Sequence, residues 1–231
     1  MVRCFKLSMK YPVNFEIELL KNPYPGIYIA LEGIDGSGKT TQAEFIKDYY
    51  EKKGKKVLMT HEPRRDGALG PLIHDVLLGN VKIPPVANQY LFAAQRVVHV
   101  EEIVIPALKR GEVVISDRCF WSSIPYGLFD REESEGKPSD QLLAALSLLS
   151  FYHGFINPDF AIFLEVSVET AAKRLAALKR KAEIYEKSEK LEKIRGGYEF
   201  LFEKFPNVLL KVDAEKHISQ VTQEIIDIVN K

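Results

Sequence analysis

The sequence predicts an α/β fold: a parallel sheet with helices on both faces. Short apolar runs that end in polar residues or glycine recur along the chain, and helical patterns fill the intervals between them. A glycine-rich stretch, Gly33-Ile34-Asp35-Gly36-Ser37-Gly38-Lys39-Thr40, stands where the first run hands over to the first helix. Strand and helix alternating in this way give parallel pairing, since each helix returns the chain to the same end of the sheet. Ligands then bind at the carboxyl ends of the strands.

In chain order the strands are Ile27 to Leu31, Lys56 to Met59, Val113 to Ser116, Phe160 to Leu164 and Val208 to Val212. Their near-continuous apolar character suits a sheet covered on both faces. The helices are Thr40 to Lys53 stopped by Gly54, Val86 to Arg110 stopped by Gly111, Asp140 to Tyr152, Val168 to Lys181 and Ile218 to Val229, each read from apolar spacing and its stop signal. Residues 1–25 form an N-terminal extension to a main domain of residues 26–231. In the extension, the alternation Phe15-Glu16-Ile17-Glu18-Leu19 suggests an extra edge strand, and Asn22-Pro23-Tyr24-Pro25-Gly26 a turn. Charge is dense from Lys179 to Lys193, which by itself reads as a solvated helical face with Glu–Lys pairs at helical spacing.

Composition narrows the partners. The chain of 231 residues has 32 Lys plus Arg against 32 Asp plus Glu, so no overall field of one sign holds nucleic acid or an anionic membrane, and any bound anion is held by local chemistry. Cys4 and Cys119 are too few for a disulfide framework and fit a reducing compartment. No segment reaches the ~20 apolar residues of a membrane span, and Met1 to Leu20 mixes charge into its apolar residues instead of forming a signal-peptide core. The expectation is a cytoplasmic protein.

The glycine-rich stretch fits the G-x-x-x-x-G-K-[ST] pattern between a strand and a helix. Its glycines let the backbone wrap phosphate oxygens with N–H groups inward, and the helix that follows, opening at Thr40 and Thr41, adds its positive dipole end. Lys39 is expected to neutralise the β and γ phosphates of a bound nucleotide, and the Thr40 hydroxyl to ligate Mg²⁺. Asp117-Arg118 follows the third strand, on the same edge, where Asp117 can reach the hydrated metal and Arg118 can fork onto two phosphate oxygens. Glu62-Pro63 closes the second strand beside them.

Leu31 to Gln42, Glu62-Pro63, Leu91-Phe92-Ala93-Ala94-Gln95-Arg96, and Asp117-Arg118 through Ser122-Ser123 and Tyr126 together resemble the thymidylate kinase family. The resemblance runs from about Gly26 to the C-terminus and includes Asn157-Pro158-Asp159, Leu164-Glu165-Val166 and Val212-Asp213-Ala214. It implies a P-loop three-layer sandwich with a five-stranded parallel sheet ordered 2-3-1-4-5, and phosphorylation of thymidine 5′-monophosphate by ATP with Mg²⁺. It also implies that Phe92 stacks on thymine, Arg96 contacts the base edge, Ser123 sits near the base and Tyr126 packs beneath the deoxyribose. Asp35 and Arg118 would handle the acceptor phosphate beside Glu62. Some members of the family carry a basic residue inside the loop and others take it from a lid. With Ser37 at that loop position, the charge is expected from a lid at about residues 179–193 or the helix before it, Arg180 first and Arg174 second. Family members are usually dimers, which implies a homodimer.

Departures from the family pattern are His61 before Glu62-Pro63, Cys119 after Asp117-Arg118, Gly127 after Tyr126, and Glu183-Ile184 in the lid. Three other readings compete, of which a nucleic-acid-dependent ATPase is disfavoured by zero net charge and the lack of a basic aromatic groove. A deoxynucleoside kinase must deprotonate a neutral hydroxyl and would use Glu62 as the base. A P-loop switch would carry an Asn-Lys-x-Asp motif, absent from this sequence.

Overall fold

The computed structural model describes residue 14 and residues 16–135, 141–178 and 180–230. Five strands, β1 (Ile27–Glu32), β2 (Val57–His61), β3 (Val113–Asp117), β4 (Phe160–Glu165) and β5 (Leu210–Asp213), form one sheet in the order β2-β3-β1-β4-β5. Every pairing is parallel. The register aligns the strand ends: Leu31 and His61 are level with Asp117, Glu32 with Phe163, and Glu165 with Asp213. A row of polar residues therefore closes one edge of an otherwise apolar sheet.

The pleat sends alternate residues to opposite faces. Ile29, Leu31 and Ile115 join the larger core, while Tyr28 and Val114 pack with Val104, Ala107 and Leu108 in a smaller one on the other side. The covering helices are α1 (Lys39–Lys52), α2 (Gly70–Leu77), α3 (Pro85–His99), α4 (Ile105–Lys109), α5 (Ser123–Glu135), α6 (Gln141–Leu149), α7 (Val168–Ala176), α8 (Ser188–Lys204) and α9 (Ile218–Val229). The single helix expected from Val86 to Arg110 is divided by a π-helical turn, Val100–Val104. Pro106 cannot donate to the carbonyl four residues back, and the wider turn ahead of it absorbs that missing bond. Ser167 caps α7 by accepting from the Thr170 amide, and a His217–Gln220 capping box opens α9, whose bounds agree with the sequence expectation.

Helices α2, α5 and α8 go beyond the sequence reading. Pro125 and Gly127 lie inside α5 and argue against a helix by propensity. Pro125 sits in the first turn, where an N–H has no intrahelical partner anyway. Helix α8 takes in Ser188 to Lys193, so the charged segment is half loop and half helix, and Val168 to Lys181 is helical only to Ala176.

Residues 1–13 and Phe15 lie outside the described residues, as do Cys4 and Lys179. Of the alternating segment, residues 16–19 belong to no strand of the described residues, and Leu20 makes an isolated parallel bridge to Ile156. Asn22 donates to the Gly26 carbonyl and to Asp159, each at 2.8 Å, which fastens the turn to the sheet edge remote from the phosphate loop. Among the described residues, no helix is long and apolar enough to cross a membrane.

Candidate active site

The phosphate loop leaves β1 with Gly33, Gly36 and Gly38 at positive φ (143°, 84° and 99°). At Gly36 a Cβ would also fall 2.5 Å from the Ala171 carbonyl oxygen, so glycine alone serves the turn and its packing on α7. Lys39 opens α1 and folds back, its Nζ donating to the Gly33 and Ile34 carbonyls at 3.2 and 3.0 Å. Burial first, and the Arg118 charge second, hold the Lys39 pKa below its ordinary value. Thr40 Oγ1 donates to Asp117 Oδ2 at 2.6 Å, joining the two groups expected at the metal across the gap between α1 and β3. The Ser37 hydroxyl is buried and has no partner among the described residues. A curled loop with an orphaned hydroxyl, a lysine parked on backbone carbonyls and two hard oxygen donors fits a metal-bound triphosphate.

Arg118 is the second centre. Its backbone takes φ 75°, a conformation unfavourable for a residue with a Cβ and characteristic of functional sites. The Arg118 amide donates to the Leu31 carbonyl at 2.8 Å, and Ser116 Oγ to the Arg118 carbonyl at 2.6 Å. The side chain thus crosses the end of β1. Nη1 donates to the Gly33 carbonyl at 2.8 Å and Nη2 to Tyr126 at 2.7 Å and to Asp35. Burial would raise the Asp35 pKa, but Arg118 and Lys39 hold it below the usual carboxylate range.

One crevice of about 740 Å³ runs along this edge, lined by the phosphate loop, Glu62, Asp117, Arg118, Arg174 and Arg180 among others. Arg180 is paired with Glu186 and lies within electrostatic reach of Asp35. Arg174 instead donates to the Ser37 carbonyl at 3.2 Å and the Ala214 carbonyl at 3.0 Å, which braces the loop from outside. The crevice joins Asp35, Lys39, Thr40, Glu62, Asp117, Arg118 and Arg180. Phe92, Arg96, Ser123 and Tyr126 do not line it; they are 8%, 6%, 1% and 8% exposed and stand behind its wall.

That wall is a polar network. Arg96 donates through Nε to Glu62 and through Nη1 to Ser123 and, at 3.0 Å, to Tyr152. His99 meets the other Glu62 oxygen at 2.9 Å and Thr60 at 2.7 Å. Burial would push the Glu62 pKa up, but Arg96 and His99 hold it down. His99, Tyr152, Glu32, Tyr198, Gln95 and the pair Arg64 and Arg65 are site residues that sequence reasoning did not assign. Gln95 clasps the Arg64 backbone by accepting from its amide at 2.9 Å and donating to its carbonyl at 2.6 Å, and its place in the quoted Phe92 to Arg96 motif was the available signal.

A phosphate loop on the carboxyl edge of a β2-β3-β1-β4-β5 sheet, facing a buried arginine across one crevice, is the arrangement of a P-loop kinase. Sequence comparison specifies it further. The thymidylate kinase family profile matches residues 31–225, and the chain belongs to the thymidylate kinase family. A probable thymidylate kinase of Pyrococcus horikoshii is 37% identical over 88% of this chain and 96% of its own length. A thymidylate kinase of Thermoanaerobacter sp. is 34% identical over 89% of this chain and 98% of its own. The structure of thymidylate kinase from Candida albicans superposes with a TM-score of 0.73 at 27% identity, covering 89% of this chain and 91% of that one.

Proposed function

We propose that this enzyme transfers the γ-phosphoryl group of ATP to thymidine 5′-monophosphate, giving thymidine 5′-diphosphate. The observation that carries the reading is the fixed Arg118 guanidinium, tied to Gly33 of the phosphate loop on one side and to Asp35 and Tyr126 on the other. A buried cation between donor loop and acceptor side suits a reaction whose catalysis is alignment and charge neutralisation.

In this reading the loop amides and Lys39 hold the β and γ phosphates, with Lys39 leaving its two carbonyls for the anion. Thr40 and Asp117 would hold Mg²⁺, which supplies charge neutralisation on the phosphates when bound. Arg118 and Asp35 orient the acceptor phosphate, whose oxygens need no general base because they are already ionised. Arg180 leaves Glu186 to reach the transferring group, since Ser37 brings no charge to the loop. Phe92, Ser123 and Tyr126 serve the nucleoside once the wall behind which they stand opens to the acceptor. For Arg96, the bonds above engage Nε and Nη1, so Nη2 is the end that donates to a pyrimidine carbonyl.

Glu62 argues against the nucleoside-kinase alternative. A carboxylate bound by Arg96 and His99, and held low in pKa despite burial, is a weak base for a hydroxyl. We further propose a cytoplasmic homodimer that packs through the outer face of α3, where Val86, Tyr90 and Val97 are exposed and Tyr90 meets Phe151 at a tilt, with ring centroids 5.3 Å apart. Light scattering after size exclusion reads the dimer directly. The reaction is tested by coupled detection of ADP release with thymidine and a panel of nucleoside monophosphates. Highest kcat/KM with thymidine 5′-monophosphate is expected, and faster turnover of thymidine itself would move the assignment to a nucleoside kinase.

A further inference from the structure

Helix α8 enters the site through one side chain that the reaction scheme above leaves unused. Tyr198 is fully buried, and its hydroxyl stands at a junction of four groups. It donates to Glu32 Oε2 at 2.7 Å. It accepts from Arg118 Nη1 at 3.2 Å and from the Gly33 amide at 3.4 Å, with Ser122 Oγ at 3.3 Å. Glu32, buried at the end of β1, also accepts from Ser122 Oγ at 2.6 Å, from the Cys119 amide at 2.9 Å and from the Cys119 thiol at 3.3 Å.

The backbone is arranged to bring the hydroxyl there. A Cβ on Gly197 would lie 2.6 Å from the Pro125 Cα, so the glycine permits the close approach of α8 to α5 that carries Tyr198 to the end of β1. The ring packs on Phe163 at a centroid distance of 4.7 Å, a contact that phenylalanine would make equally well. Packing therefore explains the ring and leaves the hydroxyl unexplained. A buried hydroxyl without partners is costly, and here it is spent between a carboxylate and the site arginine. Because its proton goes to Glu32, its lone pairs face Arg118 and Gly33.

We propose that Tyr198, oriented by Glu32, is a positioning residue for Arg118. Together with the Gly33 carbonyl at 2.8 Å and Ser122 Oγ at 3.2 Å it fixes Nη1, so that Nη2 is presented to Asp35 and to the acceptor phosphate, and it ties the arginine to the helix that follows the lid. This rests on the acceptor role proposed above for Arg118. The reacting atoms are not touched by Tyr198, so its signature is a selective one.

Tyr198→Phe keeps the ring and removes the hydrogen bonds. Its kcat/KM for the acceptor is expected to fall about tenfold, the size of one hydrogen bond to a charged group, while the KM for ATP stays within about twofold. In an Arg118→Lys background the added loss should vanish, because the partner it positions is gone. The inference is overturned if acceptor kcat/KM is unchanged, if acceptor and ATP parameters fall together, or if the loss persists in the Arg118→Lys background. Should Tyr198→Phe fail to fold, Glu32→Gln removes both the acceptor that orients the Tyr198 proton and a charge 3.9 Å from Arg118 Nη1; the same selective loss is expected, and its absence overturns the inference. All variants are assayed with whichever monophosphate the wild-type enzyme turns over best. An unexpected acceptor then corrects the proposed substrate and leaves this test intact.

Discussion

The phosphate loop and the acceptor wall both gather polar groups, and they do so by opposite means. In the loop, the bonds of Lys39 span five and six residues, and the binding surface is backbone shaped by glycine. In the wall, the bonds of Arg96 reach across 27, 34 and 56 residues to Ser123, Glu62 and Tyr152, and the surface is side chains from four separate elements. The loop keeps groups unsatisfied or loosely parked for an incoming anion, as Ser37 and Lys39 are, whereas the wall satisfies its charges internally. The loop should therefore carry catalysis with little bearing on stability. The wall should carry stability as well as recognition.

The largest expected effect breaks catalysis alone. Lys39→Ala removes the loop's one buried cation and should lower kcat by about three to four orders of magnitude. Its thermal unfolding should stay close to wild type, because burial already disfavours the charged ammonium. Steady-state kinetics beside calorimetry separate the two quantities, and near-normal turnover would remove the loop from its assigned role.

Arg96→Ala is the mirror experiment. It leaves Glu62, 5% exposed, as a buried carboxylate without its arginine, a lesion that costs about 3 to 5 kcal/mol when one partner of a buried pair is deleted. Denaturant unfolding is the measurement. A variant as stable as wild type would mean that the wall does not hold itself together and that the contrast between the regions is false.

The same contrast explains what could be read from the sequence. All five strands were legible, because a buried parallel strand is a local apolar run, and so was the loop with Lys39 and Thr40. Glu32 was read only as a motif letter, since nothing local reveals that Tyr198, 166 residues away, bonds it. His99 and Tyr152 went unassigned for the same reason. Helix α5 was hidden by Pro125 and Gly127, local signals that its packing on α6 and α8 overrides. The position of Phe92 behind the wall is likewise a tertiary fact: the apolar spacing that identifies a helix face does not say whether that face meets solvent, core or ligand.

Arg180 lies between the two regions and sharpens the comparison. It is about two-fifths exposed and its partner Glu186 is nearly buried (39% and 7%), so the pair contributes little to stability. Arg180→Ala should lower kcat about 10- to 100-fold with the KM for thymidine 5′-monophosphate nearly constant, the pattern of an interaction made mainly in the transition state. If Arg174→Ala alone has this effect, the arginine that braces the loop from outside is the catalytic one. If neither variant slows turnover, neither arginine serves the transferring phosphoryl group and the lid reading fails.

The smallest expected effect concerns pH. Asp35 and Glu62 both have pKa values below their ordinary range, against the upward push of burial, because Arg118 and Lys39 act on the first and Arg96 and His99 on the second. A carboxylate whose folded pKa is depressed binds fewer protons than in the unfolded chain. Its contribution is present above the unfolded pKa and is lost as pH falls through the folded one. Stability should therefore decline below about pH 4, and the wall should account for a defined share of the decline. Glu62→Gln cannot ionise, so it should be less stable than wild type at neutral pH by about 1 to 3 kcal/mol, the scale of hydrogen bonds to a charged group. As acid protonates Glu62 in the wild-type protein, the two unfolding free energies should converge. Parallel curves from pH 7 down into the acid range would mean that the Glu62 charge contributes nothing to folding, and that Arg96 is held by Ser123 and Tyr152 alone.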